Sequence, residues 1–209
     1  GTLFRNLVDL RPLRCINVLS YICQHNIPSA HPAADTQDRY LKTLCGRPAA
    51  LVLRLSGRGV NSVATIDQCQ AIGDVLGKMH YVGQQFESHR TTERGPEWRQ
   101  SMAETVLPLL DTESAQLLQD EIAFQAEYSN LDLPFGVTHS DLFRDNALFD
   151  GDELKGIIDF YYACDEYLLY DLAVAVNDWC VDENGLIDSD RYQVLMTAYS
   201  KQRPLVKAE

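Results

Sequence analysis

Basic residues are scarce in this chain: 18 Lys and Arg stand against 30 Asp and Glu, for a formal net charge of −12. A balance of that sign argues against nucleic acid and anionic membranes as partners, since both want a basic face. It does not exclude a nucleotide, because a divalent cation can bridge acidic side chains to phosphates. Long apolar runs are also missing, and none approaches the roughly 20 residues of a membrane-spanning helix. The six cysteines (Cys15, Cys23, Cys45, Cys69, Cys164 and Cys180) show no C-x-x-C spacing and no histidine at ligand distance. Several fall on apolar faces, where reduced structural cysteines sit, and a cytoplasmic location is the expectation. There is no internal repeat and no low-complexity tract. What remains is 209 residues, 45% hydrophobic and 23% charged, enough for about one domain or one and a half. The sequence opens at Gly1 without Met, in a strand-like Leu3-Phe4, and stops at Glu209 soon after a helix. A piece of a longer protein is expected.

The most informative stretch runs from His139 to Asp159. His139-Ser-Asp141-Leu-Phe-Arg-Asp-Asn146 has the form H-x-D-x-x-x-x-N, and Gly156-Ile157-Ile158 delivers Asp159 followed by Phe160. Between them Ala147-Leu148-Phe149, the turn formers Asp150-Gly151-Asp152, and Leu154 to Ile158 read as a two-stranded ribbon. A ribbon brings its ends together, so Asp141, Asn146 and Asp159 should meet at one rim. Phosphoryl transfer needs such a set: a carboxylate to receive or orient the acceptor hydroxyl's proton, and hard oxygen donors for Mg²⁺. Asp141 suits the first task, and Asn146 with Asp159 the second. The competing reading is a solvated acidic face, since His139 to Asp190 holds fourteen acidic residues and two basic ones, Arg144 and Lys155. A Ser-His-Asp relay from His139, Ser140 and Asp141 fails, because adjacent residues cannot place their side chains in series.

On those residues the chain resembles the kinase-like phosphotransferases that act on small molecules, the aminoglycoside and choline kinase group. Tyr170-Asp171-Leu172-Ala173 resembles that group's Y-D-L-A segment. The resemblance implies that Asp141 is the catalytic base and that Asn146 and Asp159 are metal ligands. It also implies that Asp171 braces the catalytic loop; His139 is read beside it as a loop-pinning residue rather than a base. ATP and Mg²⁺ are the implied cofactors. The segment Ile158 to Cys180, with Ile27-Pro28 through Ser56-Gly57, is similar to the bacterial homoserine kinases of the kinase-like type, over essentially all 209 residues. That similarity implies transfer of the ATP γ-phosphate to the hydroxyl of L-homoserine. A zwitterionic amino acid needs both charges met, so Arg144 is a candidate for its carboxylate and Asp178 for its ammonium. A surface Arg and a surface Asp would read the same way.

Taken in order, residues 1–5 read as the end of a strand, and Arg11 to His25 as an amphipathic helix with Pro12 in its first turn. Ser29 to Asp38 reads as loop. Tyr40 to Leu44, a turn at Cys45-Gly46-Arg47, and Pro48 to Leu55 read as a second strand pair. By the resemblance this last strand is the hinge between lobes, where Leu53 and Leu55 present backbone groups to adenine; an ordinary buried strand fits equally. Thr65 or Asp67 can cap a helix to about Val82, with a stripe of Cys69, Ile72, Gly73, Leu76, Met79 and His80. Gly73 and Gly77 suggest close approach by another helix, and His80 reads as a satisfied core histidine. Gln84 to Pro96 reads as polar loop. Helices follow at Glu97 to Leu110, Thr112 to Tyr128 with Asp111 as cap, Leu168 to Cys180, and Arg191 to Ser200 with Tyr192, Leu195 and Tyr199 on one side.

The expected fold class is therefore α+β: a protein-kinase-like two-lobed fold, with a partial N-terminal lobe over 1–55 and a mainly helical C-terminal lobe over 56–209. The chain departs from the family in having no ATP-gripping loop, no Lys in residues 1–5, and no Glu in its first helix to pair with such a Lys. Two alternatives stay open. One is a kinase of the same group acting on choline, an aminoglycoside or a sugar. The other is a nucleotide-binding module without turnover.

Overall fold

A computed structural model describes residues 11–128 and 131–209, with side chains from Arg14 onward. The strand expected at residues 1–5 lies outside the described residues. Six helices are described: α1 Arg11–Gln24, α2 Ile66–Gly83, α3 Pro96–Val106, α4 Thr112–Glu127, α5 Leu168–Trp179 and α6 Ser189–Gln202. The strands form three antiparallel pairs: β1 Leu41–Leu44 with β2 Arg47–Ala50, β3 Phe135–Thr138 with β6 Cys164–Tyr167, and β4 Ala147–Asp150 with β5 Glu153–Ile157.

The centre of the molecule is α2. Thr65 caps it in a reciprocal box, its hydroxyl accepting the Gln68 amide while Gln68 reaches back to the Thr65 amide. Its apolar stripe is buried, and Gly73 and Gly77 let α6 lie against it. A methyl at Gly73 would come within 2.2 Å of the Leu195 carbonyl oxygen, and one at Gly77 within 2.7 Å of that of Tyr199. Leu195 and Tyr199 are the buried face of α6. Tyr192, expected on the same side, is 43% exposed, because the packed stripe there follows the i, i+4 row from Leu195 to Tyr199. The helix expected through Leu110 ends at Val106 and tightens into a 3₁₀ turn at Leu107–Leu109, where Pro108 has no N–H to continue the ladder.

The ribbon, β4–β5, closes at Gly151-Asp152, with Gly151 at φ +60°. Two outlying segments extend it. Arg58 exchanges backbone bonds with Phe149 on the β4 edge, and Ile157 of β5 donates its N–H to the Pro28 carbonyl. The strand expected over Pro48–Leu55 stops at Ala50. Beyond it, Leu51 and Leu53 bond to Ala33 and His31, and their side chains are 72% and 59% exposed. This segment is thus a surface strap, not a buried strand. The β3–β6 pair was not anticipated: its two strands of four residues meet across 25 intervening positions.

Candidate active site

The segment from His139 to Asn146 is built on one face of α5. Asp171, fully buried, accepts the amides of His139 (2.7 Å) and Ser140 (2.8 Å). Seven and eight residues on, Asp178 accepts the Arg144 amide (2.7 Å) and Trp179 donates its indole N–H to the Leu142 carbonyl (2.9 Å). Positions i, i+7 and i+8 share a helix face, so one rigid element holds four successive points of the loop. Asp171 is itself held by His80 of α2, whose Nε2 lies 3.0 Å from Oδ2 and whose Nδ1 lies 2.8 Å from the Tyr199 hydroxyl.

Asp141, Asn146 and the residue preceding Asp159 are joined directly. Asn146 donates from Nδ2 to the Asp141 carbonyl (2.8 Å) and to its carboxylate (3.2 Å). The Asn146 carbonyl accepts the Ile158 amide (2.9 Å), and His139 Nε2 donates to the Ile158 carbonyl (2.9 Å). Ile158 is therefore gripped on both sides of its backbone, which sets Asp159 beside the loop. Ser140 (φ +62°) and Asp159 (φ +65°) both occupy the left-handed region, an arrangement that non-glycine residues keep only where the surroundings enforce it.

The electrostatics follow from burial. The Asp141 carboxyl is pushed up from its ordinary value, first by desolvation and then by Asp159, with His139 and Arg94 pulling the other way. Burial alone would raise Asp171 as well, but its hydrogen bond to His80 and the nearby imidazoles hold it below the usual range. Burial lowers His139, whose Nδ1 makes no hydrogen bond to any described residue. A neutral ring carrying its proton on Nε2 satisfies this geometry.

Arg144 and Asp178 are bound to one another, with guanidinium contacts of 3.2 Å, and Arg144 also donates to the Ser62 carbonyl (2.7 Å). The pair lines a cavity of about 350 Å³ with Val60, Asn61, Phe143 and Asp145, each charge partly spent on the other. Leu53 already donates its N–H to the His31 carbonyl, so its carbonyl is the backbone group left to a ligand. Leu55 turns its side chain onto Gly156, where a methyl would meet Leu55 Cδ1 at 2.6 Å.

Sequence reasoning missed a cavity of about 440 Å³ beside Ser140, walled by Arg90, Arg94, Trp98, Tyr161, Tyr162 and Tyr170. The loop before α3 reaches it because its backbone docks on β6: Asp165 donates its N–H to the Arg90 carbonyl (2.7 Å), and Arg14 forms a buried ion pair with Asp165 (2.9 Å). The available signal was a run of arginines, Arg90, Arg94 and Arg99, in an otherwise acidic chain.

The arrangement is that of a kinase-like fold. The solved structure of an amicoumacin kinase, hAmiN, superposes with a TM-score of 0.75 at 17% identity, covering 97% of this chain and 65% of that one. The model of the phosphotransferase enzyme family matches residues 9–204, and the chain belongs to that family. It is 42% identical over 194 residues to a homoserine kinase of Methylobacillus flagellatus, covering 93% of this chain and 60% of the relative. It is 36% identical over 214 residues to one of Janthinobacterium, covering 100% and 66%. The chain thus spans about 60 to 66% of the length of these relatives.

The donors present suit the Mg²⁺ that the resemblance implies. With both contacts of Nδ2 spent on Asp141, the amide oxygen of Asn146 is the group left to coordinate, and the exposed Asp159 carboxylate adds a second hard oxygen. Among the described residues no three His, Cys, Asp or Glu side chains form a metal cluster.

Proposed function

We propose that the protein of which this chain is part transfers the γ-phosphate of ATP to the hydroxyl of L-homoserine, giving O-phospho-L-homoserine for threonine biosynthesis. Asp141 accepts the hydrogen bond of the acceptor hydroxyl, turns its oxygen toward the phosphorus and takes the proton as the bond forms. Asn146 and Asp159 hold Mg²⁺, which when bound neutralises charge across the phosphates. His139 and Asp171 keep the loop still, and this preorganisation is what the transition state requires. Leu55 and the Leu53 carbonyl line the adenine side. Residues 1–55 serve as a partial N-terminal lobe and hinge, and 56–209 as the catalytic lobe. The reaction belongs to the cytoplasm, in keeping with six free cysteines.

The observation that carries this reading is the joint at Asn146, one side chain and one carbonyl linking Asp141 to the residue before Asp159, in a chain 42% identical to a homoserine kinase. The test is a substrate panel with the full-length protein, Mg²⁺ and ATP: homoserine, choline, ethanolamine and aminoglycosides, with products identified by mass. Phosphohomoserine as the preferred product is expected. Preference for another alcohol reassigns the acceptor, and nucleotide binding without any turnover would make the protein a binding module.

A further inference from the structure

The acceptor's hydroxyl must reach Asp141, so its remaining atoms must lie in space adjoining that residue. The cavity lined by Ser140, the residue before Asp141, and by Arg94, whose charge acts on Asp141, is the candidate for that space. Ser140 is the loop residue that lines it; Tyr161 and Tyr162, directly after Asp159 and Phe160, form a second side, Tyr170 with Trp98 a third, and Glu93 also lines it. The cations around it are not equivalent. Arg90 is committed, donating to the carbonyls of Tyr161 (3.4 Å) and Ala163 (3.3 Å) and pairing with Glu93 (3.0 Å). Arg14 is buried on Asp165, and Arg144, outside the cavity, is bound to Asp178. Arg94 differs: its guanidinium lies 4.0 Å from the centre of the Tyr162 ring, and its charge reaches Asp141, whose carboxyl it pulls down. Stacking holds the plane of a guanidinium while leaving its edge free, and that edge matches a carboxylate bidentately. Exposed faces of Trp98 and Tyr170 on the same cavity suit an ammonium group.

We propose that Arg94, stacked on Tyr162, receives the α-carboxylate of the acceptor and thereby selects an amino acid over an amino alcohol. The proposal rests on the homoserine reading of the site, and it moves the carboxylate contact from Arg144 to Arg94.

The test compares L-homoserine with 3-aminopropan-1-ol, which keeps the hydroxyl and the amine and lacks the carboxylate. Full-length wild type, Arg94→Ala and Arg94→Lys are assayed on both at saturating Mg-ATP, with melting temperatures recorded. In Arg94→Ala the homoserine KM should rise roughly 50-fold with kcat within a few-fold, as for loss of a charge-assisted contact made equally in ground and transition states. Arg94→Lys should recover part of that loss, because it keeps the charge without the fork. Turnover of 3-aminopropan-1-ol should be poor in wild type, and Arg94→Ala should lower its kcat/KM far less than that of homoserine. An unchanged homoserine KM in a folded Arg94→Ala, or an equal loss on both substrates, overturns the proposal while leaving the homoserine reading intact. Wild type inactive on homoserine overturns that reading, and the proposal with it.

Discussion

His80 Nε2 and Asp171 Oδ2, 91 positions apart in the chain, lie 3.0 Å apart with both side chains fully buried. The contact ties the central helix α2 to the carboxylate that holds the His139 and Ser140 amides. Arg203 continues the chain of contacts, donating to the Tyr199 hydroxyl (2.9 Å) that meets the other side of His80. His80→Ala should therefore lower the unfolding free energy by about 3 kcal/mol, through a cavity and a buried carboxylate short of one donor. It should also lower kcat more than it raises the KM for ATP. Equilibrium unfolding in urea checks the first part, and a loss under 1 kcal/mol would contradict it.

Acidification should destabilise the fold in two stages. Folding depresses His139 below its ordinary 6.5, so the unfolded chain takes up a proton there first as pH falls through that value. Asp171 is held below its ordinary 3.8, and its contribution, present above that pH, is lost as pH falls further. Each group removes at most about 1.4 kcal/mol per pH unit within its window. Asp141 is raised instead, so it works in the opposite sense above 3.8. A urea midpoint lower at pH 5.5 than at 7.5 is expected; the reverse order contradicts the neutral, buried assignment of His139.

Gly73→Ala should be among the most damaging single-methyl additions in the chain. Its new carbon would sit 2.2 Å from a backbone oxygen of α6, and backbone cannot swing aside as a side chain can. A loss of about 2 to 4 kcal/mol is expected despite alanine's better helix propensity. Gly95→Ala is the control, its nearest neighbour being the Thr92 methyl at 3.4 Å, and it should be nearly neutral by thermal melting.

Asn146→Ala removes the proposed cation donor and the link to Asp141 together. The Mg²⁺ concentration for half-maximal activity should rise at least about tenfold, as when a metal site loses a ligand or its support. A titration of activity against Mg²⁺ decides it, and an unchanged midpoint would remove Asn146 from the metal site.

Much of the architecture could be read locally because its signals are local. The ribbon announced itself through Asp150-Gly151-Asp152, and α2 through Thr65 and its stripe. The β3–β6 pair could not be read in this way: four-residue strands carry little pattern, and their pairing is set by the loops and by α5. Arg144 and Asp178 were each legible as charges, but not as each other's partner, since that requires knowing that α5 folds back beneath the loop. Arg94 lay in a segment legible only as polar loop, and the role proposed for it depends on the docking of Arg90 and Arg14 onto Asp165.

The central claim is that Asp141 is the base of a phosphoryl transfer, and the most direct measurement is turnover by Asp141→Asn in the full-length protein. The substitution keeps shape and a side-chain oxygen for Asn146, so the fold and Mg-ATP affinity should stay close to wild type. Single-turnover phosphorylation of homoserine should fall by roughly three orders of magnitude or more, with melting temperature unchanged. A folded Asp141→Asn protein that phosphorylates homoserine within tenfold of the wild-type rate would contradict the account.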